Sequence, residues 1–213
     1  MHKVIALLFL AALLSLVPNA AWSQSSFKGC AAEGSAKHDW VQELNKLKNR
    51  DNAPTSVDSS VSLAEILNPG HDEDRFDKDQ GVEVTGYVAS VVPGGFEESC
   101  NCGRDDLQDI HINIVSGPQW KDTAPRYVIA EITPRWQDKL NVDFDSVKSE
   151  IEGKWVTFKG WLLFDQMHRY ESAHTANLWH PTRPGQKHPK VWRATGWEVH
   201  PVTSYRVLHG PPH

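Results

Sequence analysis

The sequence is short of positive charge, of cysteine and of long apolar runs, and each shortage excludes something. Its 22 Lys and Arg are outnumbered by 27 Asp and Glu, for a formal charge of −5. It has no basic stripe of the kind that carries most nucleic-acid affinity, so a polyanion partner is disfavoured. Three cysteines among 213 residues supply no second pair to complete a four-sulfur metal site. The apolar run from Val4 to Val17 is 14 residues broken only by Ser15, and a membrane-spanning helix needs roughly 20. A Ser nucleophile elbow, a phosphate-cradling Gly-rich loop and H-E-x-x-H are all missing. Pro93-Gly94-Gly95 reads as a turn rather than an anion cradle. There is no internal repeat, and no ordered carboxylate and arginine set of the staphylococcal nuclease type.

What is present starts with the pattern of a secretory signal over residues 1–23. Lys3 supplies the charged start, Val4 to Val17 the apolar stretch, and Ala21-Trp22-Ser23 the small residues at −3 and −1 of a cleavage before Gln24. Lipidation at Cys30 is rejected, because 12 residues separate it from Val17 and Lys28 stands two positions before it. The expected product is therefore exported, periplasmic or extracellular, with no membrane anchor. Loss of Lys3 leaves a formal charge of about −6.

Residues 24–80 read as a helical N-terminal segment followed by an acidic linker. Trp40, Val41, Leu44 and Leu47 give His38 to Arg50 an amphipathic helical period. Ser62 is placed to cap a second short helix carrying Leu63, Ile66 and Leu67. Charged residues dominate His71 to Gln80, which reads as a solvated linker.

Residues 81–213 change to a period of two. Val82, Val84, Gly86 and Val88 share one face of a first strand, and Ile110, Ile112 and Ile114 share one face of a second. Val128, Ala130 and Ile132 mark a third strand. Trp136, Leu140, Phe144, Val147 and Ile151 then recur every three or four residues, a helix broken around Asn141 to Asp145. Lys154 to Asp165 and Ala194 to Leu208 supply the fourth and fifth strands. The order β-β-β-α-β-β predicts a mainly β fold, the five-stranded Greek-key barrel of OB type, with its helix between strands three and four. The stretch 165–193 becomes a long loop between strands four and five, where OB barrels commonly flank a ligand. The eight tryptophans beyond the signal are read as core packing, with carbohydrate or base stacking as the alternative.

Three groups of residues can carry chemistry. The loop histidines His168, His174 and His180, with His188 nearby, offer imidazoles to a divalent metal, though their spacing matches no compact zinc signature. Cys100 and Cys102 lie too close in sequence for an easy mutual bridge. Cys30 is therefore expected to pair with one of them, and a metal shared by Cys100, Cys102 and His111 is the alternative. Strand parity sets a third group on the face opposite the core: His111, Asn113, Tyr127, Glu131, Thr133, Lys159, Trp161, Glu198 and His200. Asp165 and His168 lie at its rim. These polar residues are expected on the surface, where replacing His111 or His200 by Ala costs less than about 1 kcal/mol.

Several segments resemble a family of exported bacterial OB-fold proteins of unknown activity. They are Asn45 to Arg50, Val84-Thr85-Gly86-Tyr87-Val88, Glu98-Ser99-Cys100-Asn101-Cys102, Asp109-Ile110-His111, Gly160 to Asp165, and Arg193 to Thr203. The resemblance implies the fold and the compartment and transfers no catalytic residues. It marks His111, Asp165, His168, Trp197, Glu198 and His200 as the face residues to test first.

The function expected from these readings is a binding module that holds a small molecule, a glycan or a protein on the barrel face. A metal-dependent hydrolase built on the loop histidines is the alternative. Nucleic-acid binding is third, resting on the fold name and opposed by the acidic charge.

Overall fold

A computed structural model describes residues 26–212, so the expected signal segment 1–23 and its expected cleavage before Gln24 lie outside the described residues. The elements follow the expected order. Two short helices, α1 (Asp39–Lys48) and α2 (Leu63–Leu67), precede strands β1 (Gly81–Pro93), β2 (Ile110–Val115) and β3 (Val128–Ile132). Helices α3 (Pro134–Leu140) and α4 (Phe144–Ile151) lead to β4 (Trp155–Phe164) and β5 (Trp197–Val207). Ser62 caps α2 by accepting the Glu65 amide. Asn141 takes a left-handed conformation, φ 54°, which ends α3 where the helical period was expected to break. Asp143 and Ser146 then form a capping box that restarts the chain as α4.

The strands close in the order β1-β2-β3-β5-β4, the OB arrangement, with β3 and β5 parallel and every other pair antiparallel. Long β1 makes closure possible: its first half pairs with β4 and its second half, from Tyr87 on and through a register shift between Val88 and Ser90, with β2. The inward residues Val84, Val88, Ile112, Ile114, Ala130, Phe158, Leu162 and Val199 are fully buried and form one core with Val147 and Ile151 of α4. Each such side chain contributes roughly 1.5–3 kcal/mol by leaving water. Among the described residues no helix is long and apolar enough to cross a membrane.

Cys30 takes one of its two expected partners, and two further segments differ from expectation. The lead-in is fastened: Cys30 is bridged to Cys102 with Cα atoms 5.9 Å apart, and Asn49 donates to the carbonyls of Ala32 and Cys100 at 2.9 Å each. Segment 71–80 is more than a solvated linker. Asp72 is buried and accepts from Thr195 Oγ1 at 2.7 Å, while its carbonyl takes the indole N–H of Trp197. Phe76 packs edge-on against the same indole at 5.2 Å. The 165–193 connection is folded into short turns at Gln166–Glu171 and Ala176–Leu178, and Ser172 pairs with Arg193.

The helix α1 is also rotated from its expected setting. Its buried stripe is Val41, Leu44, Asn45 and Lys48, a regular helical spacing in which two members are polar, while Trp40 is 51% exposed. α1 packs against β5 and the turn at Ser99–Asn101. The face it covers is the one that carries the candidate residues.

Candidate metal centre

Register builds the site. His111 stands opposite Glu131 across β2 and β3, and in the parallel β3–β5 pair Ile129 lies beside Glu198 and Ala130 beside Val199. One step further along, Glu131 comes level with His200. Alternation sends Ile112, Ala130 and Val199 into the core and turns His111, Glu131, Glu198 and His200 to the opposite side of the wall. Strand parity therefore located this row of residues in the sequence.

Parity did not predict the burial. Glu198 and His200 are wholly inaccessible, Glu131 is 3% exposed and Thr133 1%, so the expectation of a solvated face is wrong for all four. The reason is α1 and the fastened lead-in, which lie over them. The small cost expected for losing His200 falls with it. Removing its ring would strand buried carboxylates, a change worth about 3–5 kcal/mol. His111 keeps a partly exposed side chain at 15%.

Glu131 is the hub. Its Oε2 lies 3.2 Å from His111 Nε2 and 3.0 Å from His200 Nδ1, so that one oxygen pairs with both imidazoles. His200 Nδ1 is 2.9 Å from Glu198 Oε1, and the other Glu198 oxygen accepts from buried Arg193 at 2.8 Å. Glu98 Oε1 approaches His111 Nε2 to 3.5 Å. Asp109, fully buried, accepts from Asn101 Nδ2 at 3.0 Å through one oxygen, while Oδ1 has no partner. His200 Nε2 is likewise buried without a hydrogen bond. Gly94 permits this packing, because a Cβ there would meet His111 Nε2 at 3.0 Å and the Asp109 carbonyl at 3.1 Å.

Burial and mutual pairing set the electrostatics of the cluster. Burial alone would discharge His111, but Glu131, with Glu98 and Asp109, raises it to about 9. Burial opposes charge on His200 in the same way, and Glu131 and Glu198 raise it to about 10. Burial would also push Glu131 up, but the two imidazoles hold it well below the usual carboxylate range. Asp109, buried and facing Glu131, rises to about 7. The imidazoles of His111 and His200 therefore carry charge at neutral pH, paired with the Glu131 carboxylate. Groups perturbed by burial together with specific partners concentrate at functional sites.

The distances fit metal ligation. Bonds of about 2.1 Å at right angles put neighbouring ligand atoms roughly 3.0 Å apart, the spacing found around Glu131 Oε2. Among the described residues, ligating atoms come within 4.8 Å of one another in two groups: Glu98, Asp109, His111 and Glu131, and then Glu131, Glu198 and His200. Imidazole and carboxylate donors suit zinc, manganese, iron(II) or cobalt.

The other expected residues go elsewhere. Asp165 is buried and pairs with Lys48 of α1 at 2.6 Å. His168 bonds Glu171 at 2.7 Å and packs edge-on to Trp192, His174 bonds Asp72 at 3.1 Å, and His180 is exposed. These three histidines each have their own surroundings and form no ligand group among the described residues. Asn113 bonds Ser90 at 2.9 Å, and Trp161 donates to the Asn52 carbonyl and stacks under Arg50. Cys102 is committed to its disulfide, which removes the shared Cys100, Cys102 and His111 site. Cys100 is a buried thiol whose pKa burial and Asp109 raise well above the ordinary value. Sequence reasoning missed Glu98, Asp109, Lys48 and Arg193 as members of this region. Asp109-x-His111 is the one local signal that could have found a ligand, since two residues along a strand point to the same side.

No protein-family model matches the chain, and a search of curated proteins finds no match.

Proposed function

We propose that this protein binds a divalent transition-metal ion on the outer face of the barrel, beneath α1, through Glu98, Asp109, His111 and Glu131. The observation that carries the reading is Glu131 Oε2. It is a buried carboxylate oxygen set at ligand spacing from two imidazole nitrogens, in a group with Glu98 and with Asp109, whose buried Oδ1 has no partner. Structural ion pairing alone is a weak account of the cluster, because desolvating several charges offsets most of what their attraction returns. The Cys30–Cys102 bridge supports an oxidising, exported location for the mature protein, periplasmic or extracellular.

A second reading, metal-assisted hydrolysis of a small organic substrate, is favoured by one observation. A cleft of about 350 Å³ lined by Val41, Leu44, Lys48, Ser99, Met167 and His168 also reaches Glu98. A substrate seated there would lie next to the ion, which would polarise it or supply bound hydroxide.

The test is elemental analysis of untagged protein purified without chelators, alongside Glu131→Gln. Wild type should retain a divalent metal through dialysis, and the variant should lose it while keeping its circular dichroism. A wild type that carries no metal and takes up neither zinc nor manganese would sink the reading.

A further inference from the structure

The two ligand groups share Glu131, and no group within the 4.8 Å limit contains both imidazoles. A single ion with bonds of about 2.0–2.2 Å spans at most about 4.4 Å between opposite ligands. As the side chains stand, one ion therefore cannot take His111 and His200 together. Each imidazole has its own carboxylates instead: Glu98 and Asp109 on the side of His111, and Glu198 on the side of His200. Glu131 stands between the halves, opposite His111 in register.

From this geometry we infer that the site holds two divalent ions bridged by the Glu131 carboxylate. The first is the ion of the proposed function, on which this inference rests. The second lies deeper, on Glu131, Glu198 and His200, all of them buried. Arg193, itself buried and bonded to Glu198 at 2.8 Å, orients that carboxylate as the supporting residues of metal ligands do. Ions sharing one carboxylate in this way sit about 3.5–4 Å apart, the separation at which paired metals clamp both oxygens of a displacement. The partly exposed Glu98 and His111 form the side from which ions enter, and the deeper position fills through the outer one.

The experiment uses manganese(II) as the only probe and the mature chain with its disulfide intact. Equilibrium dialysis at saturation should give two ions per wild-type chain, and the electron paramagnetic resonance spectrum should show a spin-coupled pair. His200→Gln should bind one ion with the six-line spectrum of isolated manganese. Glu131→Gln should bind neither tightly. One ion per wild-type chain at saturation overturns the bridged pair and leaves the single-ion reading standing. Two ions without coupling overturn the bridge, and no binding at all overturns both. Should His200→Gln fail to fold, the wild-type stoichiometry and spectrum decide the matter alone.

Discussion

Lys48→Met tests whether α1 is held down by charge. The Lys48 ammonium lies 2.6 Å from Asp165 Oδ2, with the side chains 8% and 0% exposed. Burial alone would raise the Asp165 pKa, but Lys48 holds it well below the carboxylate range. Methionine keeps the apolar stem of the lysine and leaves the carboxylate buried without its ammonium, with the Met167 amide on Oδ1 and His168 3.9 Å from Oδ2. Breaking a buried pair from one side costs about 3–5 kcal/mol. At roughly 2–4 °C per kcal/mol for a chain of this size, the melting temperature should fall by about 6–20 °C at neutral pH.

The pH dependence has a definite sign. In wild type the folded Asp165 pKa is depressed. Its stabilisation is therefore present above the unfolded value of about 3.9 and is lost as pH falls through the folded value. In the variant the folded pKa is raised, and the penalty exists only above the unfolded value. The gap between the two proteins should be full at neutral pH and close on the acid side of about pH 4. Lys48→Met/Asp165→Leu should recover most of the loss, since an apolar pair replaces a buried ionic one at little cost. Urea unfolding followed by circular dichroism across this range measures all three. A loss under about 1 kcal/mol at neutral pH, or one that does not change with pH, would refute the reasoning.

Three further outcomes are expected. Thiol titration of denatured, unreduced mature protein should find Cys100 alone, and Cys30→Ser should lower stability by about 2–4 kcal/mol for its 72-residue separation. Three reactive thiols would remove the bridge. Gly94→Ala must displace His111 or the Asp109 backbone by a few tenths of an ångström, so it should fold at a cost of about 1–3 kcal/mol and bind zinc at least tenfold more weakly by calorimetry. Unchanged affinity would show that the glycine does not position the ligands. Zinc at a hundred times its dissociation constant should stabilise the fold by about 2.7 kcal/mol, seen as a rise in melting temperature that excess chelator reverses. A melting temperature indifferent to both additions would count against a native-state site.

The barrel was legible because its signals are local. Alternation of Ile110, Ile112 and Ile114 fixes a strand and its inward side, and the shift of period at Trp136 fixes the helices between β3 and β4. The row of His111, Glu131, Glu198 and His200 was legible by the same parity. Its burial was not, because that depends on a polar surface meeting a polar surface. In α1 the residues turned inward include Asn45 and Lys48, which any hydrophobic count assigns to water, while Trp40 on the expected apolar stripe points out. Asp72 misled for the same reason. In a run of charges it looks solvated, and only the fold brings Thr195 and Trp197 to it. The loop histidines drew the metal reading because they are many and close in sequence, whereas the groups that converge come from three strands and the loop preceding β2.

The most direct test of the metal centre is anomalous diffraction from crystals of the mature protein soaked in zinc and measured on both sides of the zinc absorption edge. The account predicts a peak at about 2.0–2.2 Å from His111 Nε2 and from a Glu131 oxygen. The same crystal form of Glu131→Gln should lack it. Anomalous peaks only at the exposed loop histidines His180 and His188, with none at Glu131, would contradict it.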